Sequence, residues 1–173
     1  MHNGGIGGFE KLRRTIFRDL SDELFNWVKG QTDSELFFAI FLEFMHKSNQ
    51  TFDIQHGVHL LRKTLDYIEA LQKKAGIKET NFINIVISNG KSLLALRYVS
   101  NEKETATSLY YALGEKLEYQ NGYCHMQSQD NHAKESILIA SEKFTSHKVN
   151  WKEVPINHIL LVNEQRELDL QAV

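Results

Sequence analysis

The chain has 173 residues, of which 42% are hydrophobic and 24% are charged. These values are typical of globular domains and exclude a disordered or fibrous chain. Twenty basic and twenty-two acidic residues give a formal charge of -2, so no broad cationic surface is available for nucleic acid or anionic lipid. We therefore expect one compact domain, residues 1–173, with neither nucleic acid nor a membrane as a partner.

Cysteine content and hydropathy predict where the protein works. The single cysteine, Cys124, cannot form an internal disulfide, and no basic stretch leads into an apolar signal core. The longest apolar run, 36–44, is far shorter than the ~18 residues that a membrane span needs. These features predict a cytoplasmic location.

The first half of the chain predicts three helices. Apolar residues from Phe9 to Leu20 recur at steps of three and four, with basic residues between them, as in an amphipathic helix. The segment 32–35, Thr-Asp-Ser-Glu, predicts a capping box that starts a second helix at Asp33. This helix is apolar on nearly every side, which indicates burial against a sheet. A third helix, with one solvent-exposed face, is predicted to begin at Ile54 and to end near Gly76.

Strand patterns dominate the second half. The segments 82–88 and 92–99 are rich in branched apolar residues and flank Asn89-Gly90, which predicts a hairpin with a type I′ turn. The polar stretch 120–134 predicts a loop. Further strands are predicted at 109–113, 137–140, 158–162 and 168–173. Helices followed by antiparallel strands favour an α+β fold over alternating βαβ units.

Two polar segments admit both a structural and a functional interpretation. In His2-Asn3-Gly4-Gly5, the glycines are typical of a flexible loop. Alternatively, the Asn3 amide and the Gly4 backbone N–H point at one spot and stabilise the oxyanion of an acyl transfer. Helix capping alone explains Asp33, whereas a free Asp33 carboxylate would accept hydrogen bonds from a substrate ammonium group.

The histidines and the cysteine give weaker signals. His56 and His59 have a spacing compatible with one metal ion, but no Asp, Glu or Cys at matching spacing completes a ligand set. We expect neither a metal site nor a cofactor. Cys124 is adjacent to His125 in sequence, while nucleophile and base usually meet through the fold, so we expect an ordinary free thiol.

Five segments in order resemble the class II glutamine amidotransferases, which are N-terminal nucleophile hydrolases. They are 1–9, 30–35, 88–98, 139–142 and 151–157. The last three are most similar to the branch that includes the amidotransferase-like subunit of cytosolic glutathione degradation and the γ-glutamyl hydrolase of ergothioneine synthesis. The resemblance implies a γ-glutamyl amide substrate and a four-layer αββα sandwich with mainly antiparallel sheets.

The resemblance also assigns roles to residues. It implies that Asn3 and Gly4 form the oxyanion hole, that Asp33 holds the α-amino group of the glutamyl moiety, and that His2 shapes this substrate-binding loop. The family's nucleophile is a cysteine at the mature N-terminus, whose place is not filled here. Residues 1–173 are therefore expected to be a partial amidotransferase domain, truncated at its N-terminus, that is inactive and poorly stable alone.

Two further expectations concern partners. The glutathione branch implies a metallopeptidase-like partner subunit. A second hypothesis is a non-catalytic binding or regulatory module that keeps the ligand pocket or a partner interface.

Overall fold

The computed structural model describes residues 1–114, 116–120, 123–127, 136–144 and 151–173. Its helices are α1 (Phe9–Asp19), α2 (Asp22–Trp27), α3 (Asp33–Ser48) and α4 (Ile54–Ala75). Its strands are β1 (His2–Gly5), β2 (Phe82–Ser88), β3 (Leu93–Val99), β4 (Tyr110–Gly114), β5 (Lys116–Gln120), β6 (Tyr123–Gln127), β7 (Ser136–Ala140), β8 (Lys152–Glu153), β9 (His158–Val162) and β10 (Leu168–Ala172). The helices at 9–19, 33–48 and 54–75 confirm the three predicted from periodicity, while α2 was not predicted.

The strands form antiparallel sheets stacked in layers. The main sheet has five strands in the order β1-β2-β3-β9-β10, and a three-stranded sheet has the order β7-β4-β8. On the main sheet, Ile83 and Ile85 belong to the core shared with the helices, whereas Leu160 packs with Tyr111 of the second sheet. A helical layer and two sheets thus lie in succession, which confirms the α+β fold with mainly antiparallel sheets.

Helix α3 lies at the centre of the helical layer. Phe37 and Phe41 are fully buried, and the helix contacts α1, α2, α4 and β1. The Glu35 N–H donates to the Thr32 hydroxyl oxygen over 3.3 Å, as a capping box requires. The second half of the predicted box is wrong, because the Glu35 carboxylate accepts from the N–H groups of Lys29 and Gly30. It therefore closes the α2–α3 loop instead of returning to Thr32.

The glycine-rich N-terminal segment is a strand and not a flexible loop. β1 pairs antiparallel with β2, so that Asn3 lies opposite Asn84 and Gly4 lies opposite Ile83. The partner is about eighty residues away in sequence, and local patterns carry no information about such pairing. The segment is consequently held in a defined place beside α3.

The β2–β3 hairpin is confirmed, but its turn is not type I′. Ser88 lies opposite Leu93, so the loop contains four residues, 89–92. Gly90 has a positive φ of 87°, whereas Asn89 does not, and a type I′ turn needs positive φ at both central residues. Instead, the Asn89 side-chain oxygen accepts from the N–H groups of Lys91 and Ser92. This side chain, and not the backbone alone, closes the turn.

The predicted loop at 120–134 is wrong where the structure describes it. Gln120 ends β5, and residues 123–127, which include Cys124, form β6, paired antiparallel with β5. Backbone hydrogen bonds between neighbouring segments can hold a two-stranded ribbon together. Such strands need not show the alternation of apolar and polar residues that identifies a strand packed on a core. Residues 121–122 and 128–134 lie outside the described ranges. No helix in the described part of the chain is both long and apolar enough to span a bilayer.

Candidate functional site

Strand β1 forms one edge of the main sheet. The N-terminal amino group donates to the Val86 carbonyl over 3.0 Å, and the Val86 N–H donates to the Met1 carbonyl over 2.8 Å. Because hydrogen-bonded pairs alternate along an antiparallel ladder, Asn3 and Gly5 bond to β2, and the backbone groups of His2 and Gly4 point away from it. The Gly4 N–H therefore faces the open edge, where a ligand oxygen can accept from it.

Gly4 has a backbone conformation that requires glycine. Its φ is 124°, and a Cβ at this position would lie 1.9 Å from the Phe82 carbonyl oxygen. The close approach of β1 to β2 thus depends on the missing side chain. This is a second reason for glycine here, besides the access of a ligand to the N–H.

His2 and Asn3 lie on opposite faces of β1, because successive residues of a strand alternate. His2 is opposite Ile85, which belongs to the helix-side core. Asn3 is exposed and is opposite Asn84, on the face that meets the second sheet. Asp33, at the start of α3, lies on the helix side. The structure thus brings Asp33 to His2, but Asn3 approaches the edge from the other face.

The Asp33 carboxylate already has hydrogen-bond donors within the protein. A role in ligand binding alone would require a free carboxylate. Oδ2 accepts from the Ile6 N–H over 3.0 Å, and Oδ1 accepts from the Ser34 N–H over 2.7 Å. These bonds tie the segment after β1 to the first turn of α3. Oδ1 also accepts from the Ser34 hydroxyl over 3.4 Å. Oδ2 can accept a second hydrogen bond, so the same group retains capacity for an ammonium ligand.

His2 is partly buried between β1 and α3. Its Nδ1 lies 2.5 Å from the Ser34 hydroxyl oxygen, and its ring stacks on Phe37 with centroids 6.4 Å apart. Burial lowers the pKa of the His2 imidazole below its ordinary value of 6.5, against the opposing effect of the Asp33 carboxylate. A neutral ring is therefore favoured near pH 7. Ser34 was missed as a site residue, and its only sequence signal was its position next to Asp33.

A cleft of about 710 Å³ opens beside His2 on the helix side. Its apolar walls include Trp27, Phe38, Ile85 and Ile87, and its polar groups include Ser34. Asn3, Gly4 and Asp33 are not among its lining residues. The cleft thus adjoins the candidate oxyanion and ammonium groups without enclosing them.

The burial of His2 makes stability depend on pH. The unfolded chain takes up a proton near pH 6.5, whereas the folded ring resists protonation, so the unfolding free energy should fall as pH drops from about 6.5 towards the lowered pKa. Carboxylates, whose ordinary pKa values are near 4.3, change the pH dependence of the unfolding free energy only at lower pH. Denaturant titrations between pH 5 and pH 7.5 measure this slope. It should flatten in His2→Gln and persist in the control His46→Gln, since His46 is exposed; an equal slope in both variants contradicts the prediction.

Metal ligation has no support in the described ranges, where no three His, Cys, Asp or Glu side chains converge. His56 is buried in α4 near its N-terminus, and its Nδ1 has no hydrogen-bond partner among the described residues. His56 and His59 lie in one helix at the expected spacing, and the described part of the chain places no third ligand with them.

Comparison with known proteins identifies relatives along nearly the whole chain. Residues 1–171 match the family model described as class-II glutamine amidotransferases. The chain is 32% identical to the probable glutamine amidotransferase DUG3 of Saccharomyces cerevisiae, over 95% of this chain and 49% of that protein. It therefore spans about half the length of this curated relative.

A solved structure is similar in fold and sequence. It is that of a glutamine aminotransferase class-II domain protein from Silicibacter pomeroyi, with a TM-score of 0.72 and 25% identity. The alignment covers 99% of this chain and 65% of that one.

Proposed function

Since the chain belongs to the class II glutamine amidotransferases, we propose that it binds the γ-glutamyl group of an amide such as glutamine or glutathione and polarises its carbonyl. The observation that supports this proposal is that β1 is an edge strand whose ladder leaves the Gly4 N–H on the open side, with the exposed residue Asn3 preceding it in sequence. Two N–H donors at one oxygen are the usual means of stabilising the charge that develops in acyl transfer.

The ligand in this proposal lies along the open edge of β1. The Asn3 amide reaches its carbonyl oxygen from the face of the second sheet, and Asp33 reaches its ammonium group from the helix side. A ligand at the edge can contact both side chains although they lie on opposite faces of β1, because both faces of an edge strand are accessible there. Neutral His2 keeps Ser34 and the start of α3 in place through its hydrogen bond.

In this proposal, the chain binds the ligand but does not itself supply the nucleophile. The family uses an N-terminal cysteine, whose thiolate attacks the amide carbon and whose α-amino group assists proton transfer. The only cysteine of these 173 residues is Cys124 in β6, which has no free α-amino group. We therefore expect this chain, by itself, to bind γ-glutamyl compounds without hydrolysing them. A cytoplasmic location is part of the proposal, supported by the single cysteine.

Calorimetric titration with matched ligands tests the oxyanion hole. L-2-amino-4-phosphonobutanoate carries a tetrahedral anion where L-glutamate carries a planar one, so the ratio of their affinities reports recognition of the oxyanion geometry. We expect the wild-type chain to prefer the phosphonate. Asn3→Ala should reduce that preference about tenfold, the effect of one hydrogen bond to a charged group, and weaken glutamate binding by a smaller factor. A wild-type chain that binds both ligands equally, or neither, would overturn the proposed function.

A second candidate function is a non-catalytic module that docks on a partner, such as the metallopeptidase-like subunit that the resemblance implies. The observation in its favour is helix α2, on which Phe25 and Trp27 are 50% and 44% exposed. Exposed aromatic side chains are common at protein interfaces. Capture of that subunit, lost in Phe25→Ser but not in Asn3→Ala, together with no γ-glutamyl binding, would favour this candidate over the first.

A further inference from the structure

A row of polar residues crosses the main sheet on the face that meets the second sheet. Asn3 of β1 lies opposite Asn84 of β2, which lies opposite Arg97 of β3, which lies opposite His158 of β9. Facing side chains on neighbouring strands have Cβ atoms about 5 Å apart. Asn84 is thus the immediate neighbour of the proposed oxyanion donor.

Asn84 is buried, with 1% of its surface exposed, and only half of its amide is used. Its Nδ2 donates to the carbonyl oxygens of Ser108, over 2.8 Å, and Thr107, over 3.4 Å. Because carbonyls only accept, these contacts fix which end of the amide is nitrogen. The Oδ1 atom is buried and has no hydrogen-bond partner in the part of the chain described. A buried acceptor without a partner calls for an explanation.

Arg97 of β3 shares an acceptor with the Asn84 amide nitrogen. Its Nε donates to the same Thr107 carbonyl, over 2.8 Å, and its Nη1 donates to the Val154 carbonyl and pairs with Glu153. The amide nitrogen of Asn84 is thus directed to a carbonyl that it shares with a side chain of β3. On the other neighbouring strand, β1, Asn3 is the residue that faces Asn84.

We propose that Asn84 is a positioning residue for the oxyanion hole. In the ligand-bound state, Asn84 Oδ1 accepts one of the two amide hydrogens of Asn3, and the other hydrogen is directed at the ligand carbonyl oxygen. A primary amide has two donors, so both bonds form at once. Fixing the Asn3 amide before reaction is the kind of preorganisation that makes such donors effective. This inference rests on the proposed function and deepens it.

Two substitutions separate positioning from packing. Asn84→Leu keeps the branched shape but removes both the acceptor and the donor, whereas Asn84→Gln keeps a neutral amide with both groups. In the 173-residue chain, we expect Asn84→Leu to lower the phosphonate-to-glutamate affinity ratio about tenfold, as Asn3→Ala does, and Asn84→Gln to retain more of the ratio than Asn84→Leu does. The double variant of Asn3→Ala and Asn84→Leu should lose no more than either alone.

The outcomes distinguish this inference from the function on which it rests. A ratio unchanged in Asn84→Leu, with Asn3→Ala still lowering it, overturns the positioning role and leaves the function intact. No phosphonate preference in the wild type overturns both. An NMR measurement covers the case in which Asn84→Leu does not fold: in the wild type with phosphonate bound, both Asn3 amide protons should be protected from exchange. Fast exchange of either proton excludes the paired arrangement.

Discussion

Gly4→Ala is expected to destabilise the protein by at least ~3 kcal/mol. The residue has a φ of 124°, which alanine rarely adopts, and the new Cβ would lie 1.9 Å from a backbone oxygen of Phe82. Because the obstacle is backbone, no side-chain rotation can relieve it, and β1 must separate from β2. Chemical denaturation followed by circular dichroism measures the loss.

Gly90→Ala is the matched control for this prediction. Gly90 also has a positive φ, 87°, but apart from its chain neighbours no atom of the described residues lies within 4 Å of its Cβ position. It should therefore lose only the conformational energy, about 1–2 kcal/mol. Equal destabilisation by the two substitutions would show that the approach of β1 to β2 is not as tight as described.

The second large effect is expected for Asp33→Asn, which should weaken L-glutamine binding about 10- to 100-fold, the typical range for losing a hydrogen bond between charged groups. The variant should also lower the unfolding free energy by about 1–3 kcal/mol, since asparagine keeps one acceptor for the Ile6 N–H but loses the one for the Ser34 N–H. Calorimetric titration gives the affinity. N-acetyl-L-glutamine, which has no ammonium group, should bind wild type and variant equally weakly.

Asp53→Asn provides a control with a similar structural change away from the site. Asp53 caps α4 by accepting from the His56 N–H over 2.8 Å. Its substitution should affect stability without changing glutamine affinity. If Asp53→Asn weakened binding as much as Asp33→Asn, the loss would come from general destabilisation, and Asp33 would not be the ammonium-binding group.

Helices and long strands could be predicted from the sequence because their signals are local. Apolar periodicity and the Thr32 cap were sufficient to place the start of α3 at Asp33, as found. The strand at 158–162 was also placed with its observed bounds. In these elements the residues that decide the structure are neighbours in the chain.

The remaining features depend on contacts between distant segments. β1 is a strand because β2 lies beside it, and its own glycines favour the opposite prediction. The bond from the Ile6 N–H to Asp33 joins residues 27 positions apart, so sequence alone could not show that this carboxylate has a structural partner. For the same reason, the sequence named Asn3 but gave no reason to single out Asn84. The candidate donors were predictable, whereas the groups that hold them were not.

The contacts of Arg97 also limit how the protein can move. This buried guanidinium links β3 to the carbonyls of Thr107 and Val154, which flank strands of the second sheet. Sliding one sheet along the other by a single residue, about 3.3 Å, would separate these groups. The two sheets should therefore move as one rigid body. Any motion that admits a ligand to β1 must then come from the edge strand itself or from the α2–α3 region, and not from shear between the layers.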